Sequence, residues 1–485
     1  MNYRMVVFVL GRIFLVEAAM LLLPMACSAI YGEWYMLPAF LLPAVILLLL
    51  GLAASLRTPK NTTIYARDGL AIVALVWVLM SAFAALPFVI SGEIPAFADA
   101  FFEMVSGFTT TGSTILNDVE ALSRGALFWR SFSHWVGGMG VLVFAMAVLP
   151  MTDGRAMHLM RAEVPGPTCG KLSSKLSDSA KILYGIYFAM TALEVVFLCA
   201  GGMSLYESLI HSFGTAGTGG FSNRGLSIGA YQNPYFEWVI GIFMLLFGVN
   251  FNLYYFILMR HFREAFGSEE LRAYLGIVLF STVTIAANIL SMVGSVGEAV
   301  RTAFFQVSSI ITTTGYATAD FNLWPTYSRI LLLVLMFVGG CAGSTAGGLK
   351  MSRVIIFFKA ARQDLNKMLH THAVTTIRFE GKPLDEKTLQ GVHNYFNVYM
   401  LLIMLSTVLV SLDGFDLTTT FSAVITCINN VGPGMELVGP MGNFSQFSAP
   451  VKYLLSFDML AGRLELYPML AMFAPRLWRR RRTMR

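Results

Sequence analysis

Apolar runs long enough for a helix to cross ~30 Å of hydrocarbon recur along the whole chain, first over residues 6–30 and 37–56 and last over 451–473. Among them stand four apolar segments too short to span: "AFADAFFEMVSGF" (96–108), "SLYESLIHSFG" (204–214), "GEAVRTAFFQVSSI" (297–310) and "LTTTFSAVITCI" (417–428). A Gly-rich stretch with Thr or Asn follows each one, in turn "TTTGST", "TAGTGGFS", "TTTGYA" and "NNVGPGM", and then a polar turn and another apolar helix. Aligning these stretches brings Gly112, Gly220, Gly315 and Gly432 to equivalent places, about 100 residues apart. The pattern predicts an all-α polytopic membrane protein: four helix–pore-loop–helix repeats around one pseudo-four-fold pore, plus two extra N-terminal helices. Ten spanning helices and four re-entrant segments are expected in all.

The implied divisions are 1–58 for the extra N-terminal pair, then 69–150, 180–262 and 271–361 for the first three repeats, the third with a broken second helix. A cytoplasmic linker over 362–388, a fourth repeat over 389–478 and a basic tail over 479–485 complete the chain.

Non-helical backbone at membrane depth has no water to satisfy it, so such a stretch is buried in protein or lines an aqueous path. Four of them converging on one axis make a ring. In that ring glycine allows successive carbonyl oxygens to turn inward, where they replace the hydration shell of a monovalent cation. Short helices that point their C-termini at the ring add partial negative charge. Taken alone, "NNVGPGM" reads as an ordinary outside turn; four such stretches in register after four short helices do not.

The composition agrees, with 56% hydrophobic and 13% charged residues in 485, against roughly 25% charged in soluble domains. A net charge of +6 could point to nucleic acid, but the basic residues fall in alternate loops. They are Arg57, Lys60 and Arg67; Arg155, Arg161, Lys171, Lys175 and Lys181; Arg260, Arg263 and Arg272; the stretch 350–387; and the tail "RLWRRRRTMR". This is the positive-inside pattern with both termini cytoplasmic, and it leaves no case for nucleic acid. The first apolar run carries Arg4, Arg12 and Glu17 with no cleavage site after it, so it reads as a retained helix. Cys27, Cys169, Cys199, Cys341 and Cys427 have no paired spacing and read as small buried hydrophobes. An enzyme built on His134, His211 or Asp458 would need polar groups converging at one membrane face, whereas the polar stretches here are spread over four repeats.

Two glycine-rich stretches imitate nucleotide loops. "GGMG" (137–140) follows no strand and lacks the third glycine, and "GGCAGSTAGGLK" (339–350) places Leu349 where a phosphate loop needs lysine. In the latter, Gly339, Gly343 and Gly347 lie four apart, as in close helix packing. The rival reading is a break: Gly339, Gly340, Gly343, Ser344, Thr345, Gly347 and Gly348 make a poor helix and a candidate intramembrane gate. Arg463, deep in the last helix, is costly if unpaired. At ~100° per residue it points away from the face shared by Asp458 and Glu465, so a partner on a neighbouring helix is one reading of it. The segment "IRFEGKPLDEKTL" reads as a small cytoplasmic hairpin that either faces anionic lipid or docks a cytoplasmic regulator.

The four filter-like stretches, together with "HWVGGMGVLVFAMAVLP" (134–150) and "GRLELYP" (462–468), resemble the Trk/Ktr/HKT superfamily of potassium transporters, in particular the bacterial Trk-type membrane subunit. The resemblance covers essentially the whole chain. It implies potassium uptake across a bacterial inner membrane, with no enzyme activity and no cofactor in this chain beyond potassium bound in the pore. It implies a filter of backbone carbonyls from Thr110, Thr111 and Gly112; Thr218, Gly219 and Gly220; Thr313, Thr314 and Gly315; and Asn430, Val431 and Gly432. Glycine rather than serine at 112 implies potassium over sodium, and the departure of the fourth stretch from the threonine pattern implies few strong ion sites. For Arg463 the resemblance implies a positive barrier to cations just below the filter. It further implies a homodimer and a TrkA-like dinucleotide-binding regulatory subunit on the cytoplasmic side. An ion-coupled symporter working with H+ or Na+ is the alternative the sequence leaves open.

Overall fold

The structure is a computed structural model that describes residues 1–61, 64–140, 176–370 and 376–478. Residues 141–150 of the first repeat, the loop with Arg155, Arg161, Lys171 and Lys175, Cys169, and the tail from 479 on lie outside the described residues.

Apolar sequence with few breakers gives helix throughout. Asn2 caps α1 (Tyr3–Met20), accepting from the Met5 N–H at 3.3 Å. With α2 (Leu22–Ile30) and α3 (Leu37–Ser55) it forms an N-terminal hairpin packed on α4 (Ala66–Ser91). The first repeat is α4, the short α5 (Phe97–Phe108) and α6 (Arg124–Gly138). The second is α7 (Leu176–Ala200), the short α8 (Leu205–Gly217) and the pair α9 (Pro234–Phe247) and α10 (Phe251–Leu258). After α11 (Phe262–Phe266) the third repeat comprises α12 (Glu269–Ile289), the short α13 (Val296–Ile311), α14 (Thr326–Phe337) and α15 (Met351–Leu369). The fourth comprises α16 (Glu386–Val410), the short α17 (Leu417–Asn429), α18 (Ala449–Arg463) and α19 (Tyr467–Met472).

Three short helices start where a side-chain oxygen takes an orphan N–H. Ser204 accepts from Glu207 N at 3.3 Å, Ser295 from Glu298 N at 3.2 Å and Asp416 from Thr419 N at 3.0 Å. Hydrogen bonds from Thr419 hold the Asp416 carboxyl below its ordinary range. All four short helices end at the glycine-rich stretches, with their carbonyl ends toward the centre.

The repeats close into a ring. The second helix of each packs against the short helix of the next: α6 on α8, α9 on α13, α14 on α17, and α18 back on α5. An ion pair also crosses each interface: Glu120 with Arg224 at 3.7 Å, Glu237 with Arg301 at 2.9 Å, Arg329 with Glu436, and Asp99 with Lys452 at 2.6 Å. The Glu120–Arg224 and Arg329–Glu436 pairs face solvent and are worth about 0–1 kcal/mol each, whereas Glu237 and Lys452 are buried in theirs.

The helices are more interrupted than ten spans with a single break in repeat three. Among the described residues six helices are long and apolar enough to cross, and α9 with α10, bent by 92°, makes a seventh. The reason lies in the second helices, which come in pieces in repeats two, three and four rather than in repeat three alone. At the α9–α10 break, Cys341 N donates to Gly248 O at 2.9 Å and Phe251 N to Gly343 O at 3.1 Å, so the third-repeat loop satisfies the opened backbone. α18 ends because Glu465 and Leu466 are both left-handed, each with φ of 62°.

Candidate ion pathway

Each glycine-rich stretch adopts the same unusual backbone. Gly112, Gly220, Gly315 and Gly432 have φ of 84°, 74°, 83° and 101°. Two residues before each glycine stands a left-handed residue that is not glycine: Thr110, Thr218, Thr313 and Asn430, with φ of 56°, 55°, 57° and 55°. A β-branched residue there costs on the order of 1–2 kcal/mol, so the three threonines mark an arrangement imposed by its surroundings. Asparagine tolerates this region, which is how the fourth stretch keeps the geometry while leaving the threonine pattern.

The four stretches meet edge to edge. A Cβ built on Gly112 would strike the carbonyl oxygen of Gly219; on Gly220, that of Thr314; on Gly315, that of Val431; and on Gly432, that of Thr111, at 2.8 Å. The sequence of neighbours runs once around the four repeats and returns to the first. All four glycines line one cavity, which opens as a vestibule at one end of the ring.

Behind the ring is a fully buried polar lattice. Thr109 Oγ1 donates to Val105 O at 2.7 Å and lies 2.7 Å from Thr111 Oγ1, and Thr312 repeats this with Ser308 O at 2.6 Å and Thr314 at 2.7 Å. Adjacent repeats are stitched by Asn430 Nδ2 donating to Thr111 Oγ1 at 2.9 Å and Ser113 Oγ to Gly432 O at 3.0 Å. Tyr399 OH donates to Asn429 Oδ1 at 2.8 Å and Tyr316 OH to His211 O at 2.9 Å. Glu103, on α5, accepts from Arg130 at 2.7 Å and from Ile115 N at 3.0 Å, and Arg130 stacks 3.9 Å from the Phe221 ring centroid of the next repeat. Both partners are almost wholly buried. Glu103→Ala is therefore expected to destabilise the protein by about 3–5 kcal/mol by stranding a buried guanidinium, and Glu103→Gln by less. Thermal unfolding in detergent checks this; equal melting temperatures for Glu103→Ala and the unaltered protein would contradict it.

Residues 339–350 lie directly beneath the ring, and they are not helical. Gly343 and Gly348 have φ of 74° and 68°, Gly339 N donates to Leu349 O at 2.8 Å, and Ser344 Oγ to Cys341 O at 2.7 Å. The loop touches the filter stretches: Gly347 N donates to Thr313 Oγ1 at 2.7 Å, and a Cβ on Gly347 would strike Asn429 O. Gly340 packs on Ala346 and Gly248, and Thr345 Oγ1 donates to Phe247 O at 3.2 Å. Buried Lys350 donates to Ala346 O. Arg463 reaches the same loop, donating to Thr345 O at 2.7 Å and, on α6, to Gly137 O and Gly138 O at 2.6 and 2.7 Å.

The break at 339–348 is thus observed in place of close helix packing. α18 stops at Arg463, so Glu465 lies beyond the helix rather than on one of its faces. Glu465 pairs instead with Arg353, and Asp458 accepts from Ser406 Oγ at 2.8 Å. His134 and His211 are both buried: Nδ1 of His134 donates to Gly107 O at 2.7 Å and its ring walls Gly219, while His211 bonds Glu207 O at 2.8 Å and Ser222 Oγ at 3.0 Å. Sequence reasoning missed the left-handed threonines and the Glu103–Arg130 pair. A carboxylate in the middle of a short apolar helix, flanked by Phe101, Phe102 and Met104, was the available signal for the pair.

Four pore-loop repeats closed into one ring define a membrane transport protein with a single central path. The TrkH family profile, described as a cation transport protein, matches residues 37–480. This chain belongs to the TrkH family of cation transport proteins. It is 37% identical over 420 residues to the Trk system potassium uptake protein TrkH of Escherichia coli K12, covering 85% of this chain and 86% of that protein. Against the Trk system potassium uptake protein TrkG of the same organism it is 33% identical over 484 residues, 99% of each. The crystal structure of the potassium transporter TrkH from Vibrio parahaemolyticus matches with a TM-score of 0.89 and 30% identity, over 99% of this chain and 100% of that one.

Proposed function

We propose that this chain takes up potassium across a bacterial inner membrane through a channel-like filter formed by Thr110–Gly112, Thr218–Gly220, Thr313–Gly315 and Asn430–Gly432. One observation carries the reading: each filter glycine abuts the carbonyl oxygen of the next repeat, in unbroken order around the ring. Carbonyl oxygens packed this closely, with no room for side chains, offer a dehydrated monovalent cation its ligands. The names of the relatives, Trk system potassium uptake proteins, support potassium as that cation.

On this reading the loop at Gly339–Gly348 occludes the path beneath the filter and is the gate. A segment poor in apolar contacts has several backbone arrangements of similar energy, as gating requires. Both termini are cytoplasmic, by the alternate-loop placement of basic residues. A TrkA-like dinucleotide-binding subunit acts on the gate from that side, and the chain works as a homodimer in keeping with its Trk resemblance. Rubidium-86 flux in liposomes under imposed gradients tests the mechanism. Flux that follows potassium and voltage alone supports the pore, whereas reversal set jointly by a second ion's gradient supports the symporter.

Arg463 places a fixed positive charge at the loop. Like charges ~4 Å apart at an effective dielectric constant near 20 repel by about 4 kcal/mol, so even a fraction of this is a barrier to potassium. Arg463→Ala is expected to raise rubidium flux about tenfold, and Arg463→Lys, which keeps the charge, to stay near the original rate. Unchanged flux in a folded Arg463→Ala protein would make the three carbonyl bonds purely structural.

A further inference from the structure

One carboxylate ties the two ends of the loop together. Glu270, in the first turn of α12 and 5% exposed, accepts on a single oxygen from Ala342 N at 2.8 Å and from Ser352 N at 2.9 Å. Ser352 opens α15, where backbone N–H groups have no partner within the helix and a negative charge is favoured. The stretch between these two anchors contains Ser344 to Gly348, the part that reaches Thr313 and Arg463.

Glu270 is itself held by an element away from the loop. Its N–H donates to Glu380 Oε1 at 3.1 Å, and the same oxygen accepts from Ser268 Oγ, the cap of α12, at 2.8 Å. Glu380 occupies the two-residue turn of a hairpin between Arg378–Phe379 and Lys382–Pro383, with φ of 51° at Glu380 and 73° at Gly381. Lys359 on α15 completes the junction by donating to Glu269 Oε2 at 2.5 Å and to Arg378 O at 2.8 Å.

We propose that Glu270 is the latch that holds the loop in its occluding position, and that the hairpin bearing Glu380 is the lever through which movement on that side of the protein reaches the latch. Glu270 is a positioning residue: it touches no ion, and acts by fixing Ala342 and Ser352. Charge-assisted bonds to a buried carboxylate are strong while made and expensive to leave half made, so release is all-or-none rather than graded. The hairpin controls the latch because Glu380 fixes the backbone on which Glu270 stands. This inference rests on the reading of the loop as the gate.

The test uses the full chain in liposomes with Cys27, Cys169, Cys199 and Cys427 replaced by alanine. Cys341, buried in the loop, remains as the reporter. Its modification by a charged thiol reagent reads loop position, and rubidium-86 flux reads transport. Glu270→Ala is expected to raise both by about tenfold, the change that ~1.4 kcal/mol produces. Glu380→Ala should raise both less, and the double variant should match Glu270→Ala alone, because the two act in series. Glu270→Gln, which keeps an acceptor but not the charge, should fall between, and it carries the test if the alanine variant does not fold. Unchanged labelling and flux in folded Glu270→Ala or Glu270→Gln overturns the latch, and it does so even if deleting 342–346 opens the pore. Faster labelling with unchanged flux upholds the latch and overturns the gate reading beneath it.

Discussion

Gly112→Ser is expected to lower the potassium-to-sodium permeability ratio by about tenfold or more, with the protein still folded. At φ of 84° any side chain is strained, and its Cβ would be driven into the Gly219 carbonyl oxygen. That carbonyl has little freedom to retreat, because the His134 ring lies against the other side of Gly219, 2.5 Å from where a Cβ would stand. The displaced oxygen leaves one ligand of the ring misaligned. A shift of this size penalises the ion the ring fits more than one it does not. Bi-ionic reversal potentials on reconstituted protein give the ratio directly, and an unaltered ratio in the folded variant would remove Gly112 from the filter.

Deleting residues 342–346 is expected to raise basal flux at least about tenfold and to weaken dependence on any regulatory partner, while leaving selectivity unchanged. The deletion removes the Thr345 carbonyl that Arg463 grips and the Ala342 N–H that Glu270 holds, so the loop loses two of its anchors at once. The filter stretches keep their threonine lattice, apart from the contact between Gly347 and Thr313. Replacing the same residues with alanine, which favours helix, tests whether irregular backbone is required. Basal flux that survives the deletion unchanged in a folded protein would mean that the loop only packs the helices.

Much of this arrangement was legible in the sequence because the membrane restricts what backbone can do. A segment too short to span, followed by glycine and hydroxyl residues, has few permitted structures, and four in register leave fewer still. The glycines at 112, 220, 315 and 432 and the break at 339–348 announce themselves by composition. Other features do not. Thr110, Thr218 and Thr313 are left-handed against their own preference, held there by tertiary contacts that no local rule encodes. The breaks at Gly248 and at Glu465–Leu466 carry no run of small and hydroxyl residues like that at 339–348, and the neighbouring loop and the Arg353 pair account for them. Glu270 was hidden for a related reason. An acidic residue opening a helix is ordinary, and its two acceptor bonds depend on residues some 70–80 positions away in the chain.

The most direct measurement is crystallographic: anomalous difference density for rubidium or thallium soaked in place of potassium. The expected result is density on the ring axis, at the level of the Thr111, Gly219, Thr314 and Val431 carbonyl oxygens, which is lost in Gly112→Ser. Density confined to the breaks of the second helices, with none on that axis, would contradict the carbonyl filter and favour a transporter that binds its ion between broken helices.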